Sequence, residues 1–373
     1  MSGTRLRVGV NGRVLATPVM RGLTRYAGNL LRALSRRDDV ELIVFTREEP
    51  WPEHVAGVRA RLVRFDAPRE ALWDDWALPR RIRAEGVDVF HALADRGLPL
   101  VKPCPMVVTL HNSYERTHWR GLYRGTKRRL WYWKHELVNA RRADAVVTVS
   151  DTTRDELIAA GVCRPERMTR VYLAPGPEFG PQPAADDAAV RTSLGLARPY
   201  VLFVGGYDAH KNVDALVRAF DRAVLPGYDL VLAAHQGPEF GTAWARWRAL
   251  ACGERLHAIE PAPSALPALY RGATLLAHPS RWESFGLQLV EAMASGCPVL
   301  AADRTAVPEI VGAAGLLCDP EDPVALAGAL ARLAGDPALQ AALRERGLAR
   351  ARTFDWNTVA DETVAVYRRA LAA

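Results

Sequence analysis

Residues 273–301 carry the pattern that most constrains the fold of this chain. The apolar run 273–277 predicts a buried strand, and the helically spaced apolar residues from 287 onward predict a helix that ends at a Gly-Cys-Pro sequence, 296–298. A second apolar run, 299–301, predicts the next strand. The turn before the helix therefore lies at the carboxyl end of a strand. Open parallel sheets bind ligands there, and the free N–H groups of a helix start suit a phosphate.

Two carboxylates lie in this segment, Glu283 in the turn and Glu291 inside the helix, with seven residues between them. Taken singly, either could be a helix cap or a solvated helix residue, which is the common environment of glutamate. Glu291, however, stands beside the apolar Val290 and Ala292, where an unpaired charge is costly. A polar ligand such as a sugar hydroxyl would give it a partner, so the pair indicates a binding function.

This pair also carries a family resemblance. The signature of the retaining glycosyltransferases of family 4 is similar to the sequence Glu283-Ser-Phe-Gly-Leu-Gln-Leu-Val-Glu291-Ala-Met-Ala-Ser-Gly-Cys-Pro-Val. The resemblance covers nearly the whole chain and is strongest from residue 200 onward. It implies the GT-B fold, an α/β architecture of two Rossmann-like, doubly wound parallel-sheet domains that face each other across a cleft and bind a nucleotide sugar.

The order of predicted elements supports the same fold class. Strands alternate with helices along the chain, which argues for doubly wound parallel sheets, and 373 residues suffice for two domains. We expect residues 1–178 to form an acceptor-side domain and residues 179–358 a nucleotide-sugar-binding domain. A linker rich in Pro, Ala and Gly is predicted at 175–199. By resemblance, the last helix, 359–373, crosses back onto the first domain.

Composition bounds the class of protein. About half of the residues are apolar and about a quarter are charged, as in a globular protein, and no apolar run reaches the roughly 18 residues of a spanning helix. Five scattered cysteines show no metal-ligand or disulfide spacing, which predicts a reducing cytoplasm and no structural metal. Residues 1–178 hold 31 Lys/Arg against 21 Asp/Glu, which predicts an anionic surface or acceptor on that side.

Residues 200–212 predict a phosphate site at the start of the second domain. Their sequence, Tyr-Val-Leu-Phe-Val-Gly-Gly-Tyr-Asp-Ala-His-Lys-Asn, indicates a strand that runs into a glycine turn. Lys211 at the next helix start is then a point charge for a diphosphate rather than an ordinary surface lysine. In the resembling family, many members have arginine where this chain has Gly206, and others have arginine where it has His210. We expect His210 or an arginine from elsewhere to supply the second cation.

Three residues of the first half are candidates for the same chemistry. His91 and His111 each follow a predicted strand, at the edge where parallel sheets bind ligands, although a single histidine is more often structural. The resemblance assigns His111 to the transferred sugar and His91 to a less constant cleft position near the acceptor. Gly22 would let the backbone approach a phosphate or would simply be a turn glycine. The resemblance favours the glycine loop of the donor diphosphate.

Residues 119–142 combine basic and aromatic side chains. They hold eight Lys/Arg against one acid and five interleaved Trp/Tyr residues, namely Trp119, Tyr123, Trp131, Tyr132 and Trp133. Such a segment can lie at an anionic membrane surface. The alternative is a helix that packs its apolar face on the core and leaves its cations solvated. Nucleic acid binding is disfavoured because no motif for it accompanies the segment.

The resemblance implies a reaction and a set of roles. A sugar would pass from a nucleoside diphosphate to an acceptor hydroxyl with retention of anomeric configuration, without a metal or another cofactor. His111, Lys211 and Glu283 would be the catalytic residues. The donor would be held by residues of the turns and helix starts, namely Gly22, Gly206, His210, Lys211, Glu283, Phe285, Gly286, Leu287 and Glu291. The expected partners are a nucleotide-sugar donor and a lipid-linked, glycan or small-molecule acceptor. We expect a cytoplasmic enzyme, free or bound peripherally at the inner face of the membrane, with a role in cell-surface glycan or glycolipid synthesis.

Other functions remain open from the sequence alone. A glycosyltransferase that tailors a small natural product would share every donor residue. A GT-B sugar-nucleotide epimerase would bind the same nucleotide without an acceptor, and a glycogen-type phosphorylase would need a lysine that carries pyridoxal phosphate. A non-catalytic sugar-binding scaffold is disfavoured by the intact Glu283, Glu291 and Lys211.

Overall fold

The computed structural model of this chain describes residues 5–17, 22–67, 69, 72–113, 126, 139–237 and 240–372. The chain divides into two compact units. Unit 1 is Met1–Leu173 together with Asp355–Ala373, and unit 2 is Ala174–Phe354. The sequence-based boundaries, after residues 178 and 358, lie close to these positions.

Each unit contains one sheet flanked by helices. The strands are β1 (Leu6–Asn11), β2 (Val40–Thr46), β3 (Arg61–Arg64), β4 (Val89–Ala92), β5 (Met106–Leu110), β6 (Ala145–Thr148), β7 (Met168–Arg170), β8 (Tyr200–Gly205), β9 (Asp229–Ala234), β10 (Leu256–Ile259), β11 (Leu275–His278), β12 (Val299–Ala302) and β13 (Gly315–Cys318). The α-helices are α1 (Gly22–Leu34), α2 (Pro52–Val55), α3 (Leu78–Ala84), α4 (Asn139–Arg142), α5 (Asp151–Ala159), α6 (Asp187–Ser193), α7 (Val213–Ala223), α8 (Phe240–Arg248), α9 (Leu266–Gly272), α10 (Leu287–Ala294), α11 (Val307–Val311), α12 (Pro323–Gly335), α13 (Pro337–Ala351) and α14 (Trp356–Ala372).

The sheet of unit 1 has the order β3-β2-β1-β4-β5-β6-β7, and every strand pair is parallel. Strands β4, β5 and β6 are buried along their whole length, which is why their sequences are continuous apolar runs rather than alternating ones. The carboxyl-terminal helix α14 packs on α1 and β6 of this unit. Strand order reverses direction between β1 and β4, so ligand-facing residues are expected after those two strands.

The sheet of unit 2 has the order β10-β9-β8-β11-β12-β13, again parallel throughout. Its core joins β8, β9 and β11 to α7 and α12 through large side chains such as Phe203, Phe220 and Leu330. The order reverses between β8 and β11, which are hydrogen-bonded neighbours. The segments that follow these two strands, near residues 206–212 and 279–286, therefore leave the sheet side by side. The two Rossmann-like sheets confirm the predicted α/β, doubly wound fold class.

Several local predictions need correction. Helix α1 begins at Gly22, so the glycine that the sequence placed in a loop or turn is the first residue of a helix. The predicted linker 175–199 contains a helix, α6, and Asp187 at its start pairs with Arg271 of α9 at 2.5 Å, which anchors the segment on α9. Strands β3, β7 and β13 have no counterpart among the strands predicted from the sequence.

Within the described part of the chain, none of the helices has the length and apolar character needed to cross a lipid bilayer.

Candidate active site in unit 2

Lys211 lies in a tight connection between β8 and α7. The chain leaves β8 at Gly205, passes Gly206 and forms a 3₁₀ turn over Ala209–Lys211. Asn212 then adopts a left-handed conformation, with φ of 58°, and its Nδ2 donates to the Pro320 carbonyl at 2.9 Å. Asparagine tolerates this conformation better than most residues. The turn therefore fixes Lys211 at the carboxyl edge of the sheet, as the sequence predicted for this segment.

Glu283 follows the neighbouring strand β11 and receives two hydrogen bonds on one oxygen. Lys211 Nζ donates to Glu283 Oε1 at 2.6 Å, and His278 Nε2 donates to the same oxygen at 2.8 Å. His278 is the last residue of β11. The strand order thus brings together two predicted site residues, Lys211 and Glu283, that are 72 positions apart in the sequence.

Glu283 is an ionised carboxylate in this environment. It is 9% exposed, and this burial raises its pKa, but the Lys211 ammonium and the His278 imidazole outweigh burial and hold the pKa well below its usual range. Within the described residues, Oε2 of Glu283 accepts no hydrogen bond. The carboxylate therefore presents a charged acceptor oxygen that a hydroxyl group of a ligand can use, and its low pKa makes it a weak base.

Thr305 fixes the main chain of Glu283. Thr305 Oγ1 accepts the Glu283 backbone N–H at 3.0 Å, and the Ala306 N–H donates to the Glu283 carbonyl at 3.3 Å. Thr305 has φ of 50°, which is unusual for a β-branched residue. Such backbone strain costs about 1–3 kcal/mol and is found mainly where the surrounding structure or a function requires it. Here the left-handed conformation of Thr305 directs its hydroxyl group toward the Glu283 backbone.

We predict that Thr305→Gly lowers enzymatic turnover about tenfold or more, because the Glu283 N–H loses a hydrogen bond of roughly 1–1.5 kcal/mol and the carboxylate loses its fixed position. Thr305→Ser is the matched control, since it keeps the hydroxyl group and removes only the methyl group. Steady-state kinetics of the two variants test this role. Parental turnover in the glycine variant would contradict it.

The helix start after Glu283 depends on Gly286. Its φ is 83°, and a Cβ there would lie 2.7 Å from Leu289 Cδ1, so glycine is required both by conformation and by space. Gly286 precedes Leu287, the first residue of the eight-residue helix α10. Phe285 is buried and its ring packs edge-on against Phe354 at 5.8 Å. The predicted donor residues Phe285, Gly286 and Leu287 therefore form a rigid helix start next to Glu283.

Glu291 lies inside α10 and is 1% exposed. Tyr270 donates its hydroxyl hydrogen to Glu291 Oε2 at 3.1 Å. The sequence expectation that this glutamate is not a solvated helix residue agrees with its burial. Its predicted contact with ribose hydroxyls stays a prediction.

The second cation of the predicted phosphate site has two candidates. Burial lowers the pKa of His210, and the neighbouring Lys211 lowers it further, so His210 is neutral at pH 7 in this structure. Arg281, a residue that was not predicted from the sequence, follows β11 and contacts this turn. Its backbone N–H donates to the His210 carbonyl at 2.7 Å, and its Nη1 donates to the Ala209 carbonyl at 3.1 Å. At Gly206, a Cβ would lie 2.7 Å from Asp208 Oδ2, the end of a flexible side chain that can move away.

In unit 1, His91 lies inside the fold. It is 0% exposed, and its two ring nitrogens bond to Tyr367 Oη at 2.7 Å and Thr109 Oγ1 at 2.8 Å. Burial lowers its pKa to about 3, with a smaller effect from His111, so the ring is neutral. These bonds tie β4 and β5 to α14, which gives His91 a structural role in this unit and leaves none of its ring exposed to an acceptor.

His111 is the more accessible of the two histidines. Its Nε2 donates to the Leu93 carbonyl at 2.9 Å, and its backbone N–H donates to Asp95 Oδ1 at 3.1 Å. Tyr26 of α1 packs edge-on against the ring, with centroids 4.5 Å apart. The ring is therefore oriented at the carboxyl end of β5, where the sequence predicted a site residue.

Gly22 lies at the start of α1.

Two further sequence-based predictions concern the basic aromatic segment and the binding of a metal. The basic aromatic segment 119–142 lies outside the described residues except for Thr126 and α4. Over the described ranges, no group of three or more His, Cys, Asp or Glu side chains is arranged to hold a metal ion.

Two parallel Rossmann-like sheets, one with a lysine–glutamate pair at its switch point, define a protein of the GT-B class. The solved structure of Anabaena HepE in complex with UDP-glucose has the same fold, with a TM-score of 0.76 and 17% identity over 96% of this chain and 98% of that chain. The sequence pattern described as "Glycosyl transferases group 1" matches residues 188–350, and "Glycosyltransferase Family 4" matches residues 20–174. The chain belongs to the group 1 glycosyltransferases of family 4.

Curated relatives support this membership. D-inositol 3-phosphate glycosyltransferase 1 of Catenulispora acidiphila is 31% identical, and the match covers 89% of this chain and 87% of that protein. O-antigen chain mannosyltransferase B of Escherichia coli is also 31% identical, over 63% of this chain and 62% of its own length. The chain thus spans less than two thirds of the length of the mannosyltransferase that it matches.

Proposed function

We propose that this glycosyltransferase takes a sugar from a nucleoside diphosphate sugar and transfers it to an acceptor hydroxyl with retention of anomeric configuration. One observation carries the proposal: Lys211 and Glu283 meet at the switch point of the unit 2 sheet, and the carboxylate has an oxygen that accepts no other hydrogen bond among the described residues. A cation for a diphosphate and an anion for sugar hydroxyls are thereby adjacent.

The donor would change the partners of both side chains. Lys211 is bonded to Glu283 in this structure, and a diphosphate, with its greater negative charge, competes for the ammonium group. The helix start at Gly286 and Leu287 adds N–H groups of the kind that favour a leaving phosphate. Glu283 Oε2 would accept a hydrogen bond from a hydroxyl of the donor sugar. The family resemblance adds Gly22 at the diphosphate and His111 near the anomeric carbon.

The acceptor proton needs a base, and Glu283 is unsuited to this role. Its pKa is held well below its usual range by Lys211 and His278 despite burial, so it binds a proton weakly at neutral pH. We therefore assign the proton to an oxygen of the departing phosphate. The acceptor would then attack from the side that the diphosphate leaves, which gives retention.

The test is a transfer assay with anomer analysis. Purified protein is incubated with UDP-, GDP-, dTDP- and ADP-sugars, nucleotide release is measured, and NMR follows the anomeric configuration of the product or of the hydrolysed sugar. We expect one nucleotide to be released and the product to keep the configuration of the donor. A product of inverted configuration would overturn the proposed mechanism.

A prediction concerns the second glutamate. Glu291→Ala should weaken nucleoside diphosphate binding about ten- to hundredfold, because a charged hydrogen bond to a ribose hydroxyl is worth roughly 1.5–3 kcal/mol. Calorimetric titration measures this loss, and circular dichroism checks that the fold remains. Tyr270→Phe is the matched control, since it removes the hydroxyl that bonds Glu291 Oε2 and keeps the carboxylate. Unchanged nucleotide affinity in the alanine variant would remove Glu291 from the site.

For the acceptor, we favour a cell-surface glycan or glycolipid. The name of the O-antigen chain mannosyltransferase supports a glycan acceptor, and the composition of residues 119–142 suits an anionic membrane surface. The name of the D-inositol 3-phosphate glycosyltransferase supports a second candidate, a small phosphorylated polyol. Transfer assays with lipid-linked oligosaccharide in vesicles and with inositol phosphate in solution distinguish the two.

A further inference from the structure

His278 is a buried histidine, and packing alone does not explain why a histidine occupies this position. It ends β11, it is 1% exposed, and its strand neighbours Leu276 and Ala277 are fully buried. Its Nδ1 is enclosed and has no hydrogen-bond partner within the described part of the chain. An enclosed polar atom without a partner is destabilising, so an apolar side chain would suit this core position better if stability were its only purpose.

The other ring nitrogen is directed at the candidate active site. His278 Nε2 donates to Glu283 Oε1 at 2.8 Å, and a Cβ at Gly286 would lie only 3.9 Å from the same nitrogen. The imidazole therefore lies between the end of β11 and the start of α10. Because it is enclosed on a rigid strand, its N–H group cannot turn away from the carboxylate as a flexible exposed side chain could.

The two donors on Glu283 Oε1 differ in mobility. Lys211 has a long side chain that is 14% exposed, whereas the His278 side chain is 0% exposed. If Lys211 moves to a diphosphate, His278 remains the only side chain of this pair that holds Oε1. The backbone of Glu283 is meanwhile held by Thr305 at 3.0 Å. Side chain and main chain of Glu283 thus each keep one fixed contact.

We propose that His278 is a positioning residue for the donor sugar: it holds the Glu283 carboxylate, with Oε2 toward the sugar hydroxyls, while Lys211 transfers from that carboxylate to the diphosphate. This inference rests on the proposed function. It assigns His278 an effect on the sugar and none on the nucleotide, because the imidazole acts only through Glu283.

The experiment compares His278→Leu with His278→Gln. Glutamine places an amide N–H close to the position of the imidazole Nε2 and keeps the bond to Glu283, whereas leucine fills similar space without a donor. We expect His278→Leu to bind the nucleoside diphosphate as the parent does and to lose about 100-fold in kcat, the scale of a roughly 1 Å misplacement of a reacting group. His278→Gln should recover most of this loss. His257→Leu is the matched control. It also removes a histidine that bonds a carboxylate, since His257 Nε2 lies 3.1 Å from Asp229 Oδ2, but this pair is not part of the site.

Each outcome decides the inference. Parental kcat in His278→Leu would overturn it, while the proposed function would stand. Equal losses of kcat and nucleotide affinity in both the leucine and the glutamine variant, with a lower Tm, would also overturn it and assign His278 a purely structural role. A parent protein that neither binds nor turns over any of the four nucleotide sugars would overturn the proposed function itself, and the inference with it.

Discussion

Replacing Lys211 with alanine should lower kcat about 10²- to 10³-fold, the effect of removing one preorganised group that stabilises developing charge. The reason is the charge of the leaving diphosphate. Lys211 is fixed by the turn after β8, and its side chain is only 14% exposed. A cation in such a position interacts more strongly with a phosphate than one in water does.

The control for this variant is Lys102→Ala. Lys102 also forms an ion pair, with Asp144 at 2.5 Å, but its side chain is 47% exposed and it belongs to unit 1. We expect parental kcat for this control. If Lys211→Ala turned over at the rate of Lys102→Ala, the assignment of the diphosphate to the turn after β8 would be wrong.

Replacing Glu283 with glutamine should separate sugar recognition from nucleotide recognition. His278 and Lys211 both donate to the Oε1 position, so the amide oxygen must occupy it and the amide NH₂ must take the place of Oε2. That group cannot accept a hydrogen bond from a sugar hydroxyl. We expect kcat with the nucleotide sugar to fall about ten- to hundredfold, the worth of a charge-assisted hydrogen bond of roughly 1.5–3 kcal/mol.

The affinity of the same variant for the nucleoside diphosphate without a sugar should not fall. The substitution removes the anion that pairs with Lys211, so the diphosphate no longer competes with a carboxylate, and its affinity should be kept or increased. Calorimetric titration measures the affinity for the nucleoside diphosphate and for its sugar, and steady-state kinetics with the nucleotide sugar measure kcat. The control is Glu254→Gln, an exposed glutamate paired with Arg248 at 2.9 Å. A parallel loss of nucleotide and sugar affinity would contradict the division of roles between Lys211 and Glu283.

The same variant has a defined effect on stability as a function of pH. The pKa of Glu283 is lower in the folded chain than its usual value of 4.5, because Lys211 and His278 outweigh burial. The carboxylate therefore stabilises the fold above pH 4.5, and this contribution is lost as pH falls below that value. The difference in free energy of unfolding between parent and variant should shrink over the same acidic range.

Much of the unit 2 site could be predicted from the sequence because its signals are local. The run 273–298 contains a strand end, a turn and a helix stop, and the strand end and helix start lie within a few residues of the predicted positions. The pairing of Lys211 with Glu283 was not predicted, because it depends on β8 and β11 being neighbours, and the alternation of strands and helices indicates parallel strands but not their order. The resemblance to the family then added chemical roles that spacing alone does not give.

Two residues that were not predicted from the sequence, His278 and Thr305, hold Glu283 in position. His278 follows a buried strand, as His91 and His111 do, so the rule that selected those two histidines also selects it when applied to unit 2. His91, which also lies at a strand end, points into the fold, where Tyr367 and Thr109 bond its ring. The left-handed conformation of Thr305 has no sequence signal, since threonine rarely adopts it.

The most direct test of the account is a thermal-shift comparison of the parent and Lys211→Ala against UDP, GDP, dTDP and ADP and their sugars. The account predicts that one nucleotide series raises the Tm of the parent and that Lys211→Ala loses most of this rise. The sugar-bearing member of that series should stabilise the parent further through Glu283. If no nucleotide raised the Tm of the parent, or if the rise were the same in Lys211→Ala, the donor site would not lie at Lys211 and Glu283.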